Sequence, residues 1–451
     1  MRKLTLLLAL PQQVRRTCWG PLLVAALGGC GGGDERIVVS REANLSQAAG
    51  PQVEAAIAID PANPDVLLAG SNSSEEPSVR SYTSTDGGVT WRSEVAPLPP
   101  EGWEGGAGDP VVAIGPGGRQ YFGFLARVER TSSYFGIGIF VAARDGPNGE
   151  WHVTRVDNQP GVGNDKPSIA VDQATGRVYV AWTRFYGSRR LPVEVSYSDD
   201  GGRGWSLPVR VTDTGPQLFA SIAVGPGGTV YVVWDEFFAG EIALARSLDR
   251  GDSFEDPVEV ASYEEGIWGT TDCPPYGVSI PAQPRDCVRP NPIVTAGGGR
   301  VHVTWGARGE NSSQDAFVRA FDTDLRALGE ARILRPDGDD PSDQFWPTSA
   351  YDRSDGTLWA CFYDTRGDPR RRRARFTCTA SRDGGDSWSP AAPAASVDSD
   401  ETASAAASTR EYGDYEGVTA ADGRAHAAWT DSRRIALWGE EIYAARLELE
   451  R

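Results

Sequence analysis

Short stretches in which apolar and polar residues alternate with a period of two recur along the whole chain, separated by Gly, Asp-Gly and Pro turns. One run reads Pro167-Ser-Ile-Ala-Val171, the turn Ala174-Thr-Gly-Arg177, then Val178-Tyr-Val-Ala-Trp182; Val193-Glu-Val-Ser-Tyr197 and Trp205-Ser-Leu-Pro-Val209 follow. Period-two alternation with β-branched and aromatic enrichment predicts strands. The same unit begins again near Glu54, Asp109, Asp165, Phe219, Asn291, Phe345 and Asp414, at intervals of about 55 residues with two of them enlarged. One enlarged connection holds Cys273 and Cys287, and the other is the Ala/Ser-rich stretch 391–408. Repeated four-stranded units of this kind predict an all-β propeller. Seven blades are expected, with six as the alternative count. The seventh copy offers three strands, ending in Glu441-Ile-Tyr-Ala-Ala-Arg446, while Arg36-Ile-Val-Val-Ser40 is left over at the front. This N-terminal strand is therefore expected to complete the last blade and close the ring, which removes open sheet edges.

Composition agrees. Hydrophobic residues at 40% and charged residues at 24% exclude bulk disorder, and Gly 53, Pro 31 and Trp 14 beside a single Met favour turns and strands over helix. A net charge of −18 repels phosphate backbones and argues against nucleic acid as a partner. The first residues are different: Arg2, Lys3, Arg15 and Arg16 accompany two apolar runs, and Leu27-Gly28-Gly29-Cys30 follows. A basic start, short apolar runs and small residues before a cut predict a secretory signal, both runs being too short to span a bilayer. Leu-Gly-Gly-Cys resembles a bacterial lipobox, which implies cleavage before Cys30 and acylation of its thiol; an ordinary signal cleaved nearby is the alternative. The expected organisation is thus a signal over 1–29, a tether over 30–35 and a propeller over 36–451. The expected location is the outer membrane or cell surface, reached by the lipid anchor alone, or a secreted or periplasmic form. The remaining cysteines predict disulfides Cys273–Cys287 and Cys361–Cys378, by proximity in an exported chain. No metal and no cofactor are assigned, and a monomer is expected.

Four units carry one motif between their third and fourth strands: Ser84-Thr-Asp86-Gly-Gly-Val-Thr-Trp91, Ser198-Asp-Asp200-Gly-Gly-Arg-Gly-Trp205, Ser247-Leu-Asp249-Arg-Gly-Asp-Ser-Phe254 and Ser381-Arg-Asp383-Gly-Gly-Asp-Ser-Trp388. The carboxylate accepts backbone N–H bonds across a hairpin turn and Gly supplies positive φ. At blade spacing, this motif resembles the Asp-box (BNR) repeat of the sialidase superfamily, and the resemblance covers roughly residues 36 to 446. In that superfamily the Asp-boxes lie opposite the active face, so Asp86, Asp200, Asp249 and Asp383 are expected to be structural.

The opposite, top face is then built from the start of each first strand and the end of each second strand. These supply Glu54, Asp109, Asp165, Lys166, Asn291, Trp346, Asp414, Tyr415 and Glu416, with Arg127, Arg184, Glu236, Arg308, Arg366 and Arg433. Carboxylates, arginines and aromatic faces converging on one concavity suit a sugar. The alternative is that the arginines tie blades together through buried Asp–Arg pairs. Sialidases hold the substrate carboxylate with three arginines and use a Tyr nucleophile assisted by Glu, with an Asp as acid/base. By blade position the resemblance implies Tyr415, Glu236 and Asp109 as catalytic, and Arg184, Arg308 and Arg366 as the carboxylate clamp. Trp346 and Asp165 join them as substrate contacts. The Phe/Tyr-Arg-Ile-Pro segment that supplies the family's first arginine is absent, Arg36-Ile37-Val38 being the nearest echo. Two functions therefore stand side by side: an exo-sialidase-like glycoside hydrolase acting on terminal acidic sugars, or a propeller that binds a glycan or protein without chemistry.

Overall fold

Each strand alternates one side chain toward the preceding blade and one toward the next, so both faces of every sheet are apolar and blades stack face to face. The computed structural model describes residues 35–450 apart from 75–77, 129–135, 158–162, 188–189, 214, 264–276, 311, 336–339 and 404–410, and residues 34–451 cluster as one unit. The cleavage site, Cys30 and Cys273 lie outside the described residues.

Seven four-stranded antiparallel sheets follow one another in chain order. Their first strands are Gln52–Ile59, Trp103–Gly115, Gly163–Val171, Leu218–Val224, Ile293–Gly297, Gln344–Tyr351 and Gly417–Ala421, blades one to seven. These first strands touch in succession, and Gln52–Ile59 meets Gly417–Ala421, so the ring closes around a central channel. Blade seven draws its outermost strand, Arg36–Val39, from the chain's front: Arg36 stands opposite Glu450 and Val39 opposite Leu447. Ile37 packs with Leu447 and Leu449 in a core cluster. Among the described residues six large indoles on second strands or at blade starts, Trp182, Trp234, Trp305, Trp346, Trp359 and Trp429, are buried between blades. Burying each such ring stabilises the stack by ~2–3 kcal/mol.

At the other end, the Asp-boxes are turn locks. Ser84 Oγ donates to Asp86 Oδ1 at 2.9 Å, and the Thr90 amide reaches the same oxygen at 2.9 Å. Burial opposes the charge of Asp249, but hydrogen bonds from Ser253 and Ser247 outweigh it and pull the carboxyl down to about 2. Cys361 and Cys378 face each other across the second and third strands of blade six and are bonded, their Cα atoms 4.1 Å apart.

The enlarged connection between blades four and five adds a hairpin, Val278–Ile280 paired with Gln283–Val288. It crosses to blades six and seven: Gln283 Oε1 accepts from Trp346 Nε1 at 2.9 Å, and the Arg285 amide donates to Glu411. Its apolar side chains Val278, Ile280 and Val288 join the core beneath.

Candidate functional site

Near the start of its first strand, six blades hold a non-glycine residue in the left-handed region. These are Glu54 (φ 62°), Asp109 (54°), Lys166 (49°), Phe219 (54°), Asn291 (41°) and Trp346 (50°). In five of the six the pairing with the second strand slips at this point, as between Val53 and Ala56 or Asp165 and Ser168. The slip is a β-bulge, which breaks the period-two alternation and re-aims the side chain. An L-residue in this conformation costs about 1–2 kcal/mol, and such strain gathers at functional positions. The bulges form a ring at the channel mouth.

Charged side chains of the ring meet around one lysine. Lys166 Nζ lies 2.5 Å from Asp414 Oδ2 and 3.4 Å from Asp109 Oδ2, so blade three is joined to blades seven and two. Arg289, at the end of the inserted hairpin, donates to Asp414 Oδ1 at 2.9 Å. Asn72 links two bulges: its Nδ2 donates to Glu54 Oε2 at 2.5 Å and its Oδ1 accepts from the Asp109 amide at 2.9 Å. The Lys166 ammonium stands 5.6 Å from the ring centres of both Tyr415 and Phe219. Burial alone would lower the lysine, but the carboxylates of Asp109, Asp414, Glu54 and Asp165 outweigh it and hold Lys166 well above its ordinary range. Burial and then the neighbouring Asp109 charge push Asp165 up to about 7, with a hydrogen bond between the two carboxyls acting in the same sense. Asp165 is partly exposed at the mouth and Asp109 is buried. The arrangement keeps a proton on a carboxylic acid near neutral pH, next to an aromatic ring and a fixed cation.

The predicted residues divide accordingly. Asp109, Asp165 and Tyr415 come together at the mouth, Tyr415 donating to the Pro110 carbonyl at 3.3 Å. Glu236 sits at the end of the second strand of blade four, where its Oε1 accepts from Trp234 Nε1 at 3.1 Å and Gln217 Nε2 at 3.4 Å. The three arginines do not converge. Arg184 is fully buried and its Nε is taken by Glu194, so it is a blade tie and not part of a clamp. Arg308 and Arg366 lie exposed on blades five and six, Arg366 on the Asp364 carboxylate at 2.8 Å. Trp346 is fully buried under the inserted hairpin, which removes it as a sugar platform.

A tyrosine–glutamate pair does exist elsewhere: Tyr363 Oη donates to Glu416 Oε1 at 2.6 Å and approaches the Thr430 carbonyl at 2.7 Å. Both groups are buried among Phe345, Phe376 and Tyr412, away from any substrate path. Burial raises Glu416 to about 8.

Asn72 and Arg289 are the site residues that pattern reading missed. A signal for the ring was nevertheless present: Asp109, Lys166, Asn291 and Trp346 all directly precede proline. Proline has no N–H to lose at a bulge, so X-Pro at a first-strand start marks one.

No protein-family model matches this sequence, and no curated protein matches it. Solved structures do. A Dyadobacter fermentans protein of unknown function is similar with a TM-score of 0.50 and 13% identity, over 92% of this chain and 99% of that one. A Hadza microbial sialidase is similar with a TM-score of 0.45 and 16% identity, over 85% of this chain and 74% of that one. An ulvan lyase of a polysaccharide lyase family follows with a TM-score of 0.49 and 10% identity, over 89% and 95%. These likenesses are of fold.

Proposed function

We propose that the protein is a glycan-directed propeller that takes a sugar at the channel mouth, with Asp165 as the group that protonates a glycosidic oxygen. The observation that carries this reading is the Asp109–Asp165 carboxyl pair beside Lys166, which keeps a proton on Asp165 up to about neutral pH. General acid catalysis is most effective when the acid's pKa lies near the working pH. Hydrogen-bonded to each other, the two carboxyls cannot flank a scissile bond as separate acid and base, which needs ~5–9.5 Å between them. They act as one acid, with Asp109 holding the proton on Asp165, and the Tyr415 ring lies beside the Lys166 ammonium.

The mouth gathers Glu54, Asp109, Asp165 and Asp414 against Lys166 and Arg289. A substrate carboxylate would meet more acids than free cations there, so a neutral or amino sugar is the proposed occupant, in place of a terminal acidic one. The binding-only reading is favoured by one observation: Glu236, the expected base, is engaged within blade four.

A panel of fluorogenic glycosides (sialoside, glucuronide, galactoside, N-acetylglucosaminide) separates the readings, with Asp165→Asn and Tyr415→Phe alongside. Turnover of a neutral glycoside that both variants lose supports the enzyme. Glycan binding without turnover leaves the binding module, and sialoside turnover would overturn the choice of occupant.

Export with Cys30 acylated is proposed on the basic start and Leu27-Gly28-Gly29-Cys30 alone. Mass spectrometry finding an unmodified N-terminal methionine on the cell-associated protein would remove the anchor.

A further inference from the structure

Two arginines, Arg308 and Arg332, lie along the outer part of blade five. Two recesses of about 410 and 890 Å³ meet there and share Phe317 and Ala331. The first begins at Tyr263, beyond the last strand of blade four, and contains Arg308. The second runs past Arg332 and Arg366 to Trp388 of blade six. Together they make a trough that crosses blade five from one neighbour to the other.

Most carboxylates nearby are already held by cations, Asp340 on Arg335 among them. Arg300 holds Asp386 at 3.1 Å, and Asp364 is shared by Arg335 and Arg366, both within 2.9 Å. Arg332 gives one N–H to the Asp386 carbonyl at 2.6 Å but pairs with no carboxylate among the described residues, and neither does Arg308. Among the described lining residues, Glu310 is the acid without an ion pair. The floor is aromatic. Phe317 is partly exposed and is backed by Trp305, stacked on it at 5.7 Å with the planes 16° apart, and Trp388 is partly exposed at the far end. Arginine forks match planar carboxylate and sulfate groups, while aromatic faces accept the C–H faces of pyranose rings.

We propose that this trough binds a stretch of acidic polysaccharide, its carboxylate or sulfate groups on Arg308, Arg332 and Arg366 and its sugar faces on Phe317 and Trp388. The proposal rests on the glycan-directed reading and adds the polymer class. The trough holds a chain along the flank, whereas the channel mouth takes a single sugar.

Calorimetric titration of the purified protein with hexagalacturonate, its methyl ester and a heparin-derived hexasaccharide tests it. At least one acidic hexamer is expected to bind, with the neutral ester at least tenfold weaker and affinity falling steeply between 50 and 300 mM salt (roughly tenfold if two or three contacts are ionic). Arg308→Ala/Arg332→Ala should weaken binding at least tenfold with an unchanged melting temperature, and Asp165→Asn should leave it intact. Failure of both acidic hexamers to bind, or equal binding by the double variant, would overturn the trough. Loss of acidic-hexamer binding in Asp165→Asn with the double variant unaffected would place the polymer at the mouth instead. Trough binding by a protein that turns over no glycoside keeps this inference and overturns the acid chemistry at the mouth.

Discussion

Lys166 of blade three reaches Asp414 of blade seven, Nζ to Oδ2, at 2.5 Å. These residues are 248 apart in the chain, and their contact spans the channel mouth. A buried ion pair of this kind stabilises little in net terms, because desolvation offsets the attraction. What it does is fix the side of the mouth on which the cation sits, and thereby which carboxyl keeps a proton.

Replacing Lys166 takes from Asp109 its cation and leaves Asp414 to Arg289. Lys166→Met should lower unfolding free energy by about 3–5 kcal/mol, the cost of an uncompensated buried charge. Adding Asp414→Asn should recover part of that loss. Urea unfolding of the two single variants and the double variant measures the coupling; simple additivity would mean that the pair does not interact in solution.

The pH dependence of turnover follows from Asp165. An acid catalyst works while protonated, so activity should be retained below the raised pKa of about 7 and decline as pH rises through it. Lys166→Met removes the cation that favours the ionised form and should move this alkaline limb to higher pH. A limb that does not respond to Lys166→Met would exclude Asp165 as its source.

Glu416 gives a separate signature in stability. Its folded pKa of about 8 is above the ordinary 4.5, so the folded chain binds this proton more tightly than the unfolded one. The resulting stabilisation is complete below about pH 4.5 and is lost as pH rises toward 8. Glu416→Gln, which cannot ionise, should flatten the decline in melting temperature between pH 6 and 9. Parallel curves for the two proteins would assign the pH dependence to another group.

The Asp-box of blade six tests the division of labour between the two ends. Asp383 accepts from the Ser387 amide at 2.8 Å and from Ser381 Oγ at 2.8 Å. Asp383→Ala should cost about 1–2 kcal/mol and leave turnover at the channel mouth unchanged in the folded fraction. Loss of turnover at full folding would give the Asp-box end a role in the chemistry of the mouth.

The ring was legible because its information is local. Alternation, turn glycines and the leftover Arg36–Ser40 strand are written in consecutive residues, and each blade repeats them. Asp109, Asp165 and Tyr415 were legible for the same reason, since they sit at first-strand starts. Trp346 sits at such a start as well, but the enlarged connection before blade five folds Gln283 over it, a contact 63 residues away that no pattern encodes. Arg184 follows the positional rule equally well, yet Glu194 on the adjacent strand claims it inside the blade. Arg289 reaches the mouth from the inserted hairpin, outside that rule, whereas Asn72 lies at the end of a second strand and escapes the rule because it is neither charged nor aromatic.

Pairing Arg36–Val39 with the strand that ends at Glu450 has a consequence for the order in which the molecule is made. The earliest strand to leave the ribosome must wait, unpaired, for the latest. Until then blade seven has an open edge, and six finished blades can only form an arc. The ring is closed only when Glu441–Glu450 pairs with Arg36–Val39 on one side and Arg424–Asp431 on the other.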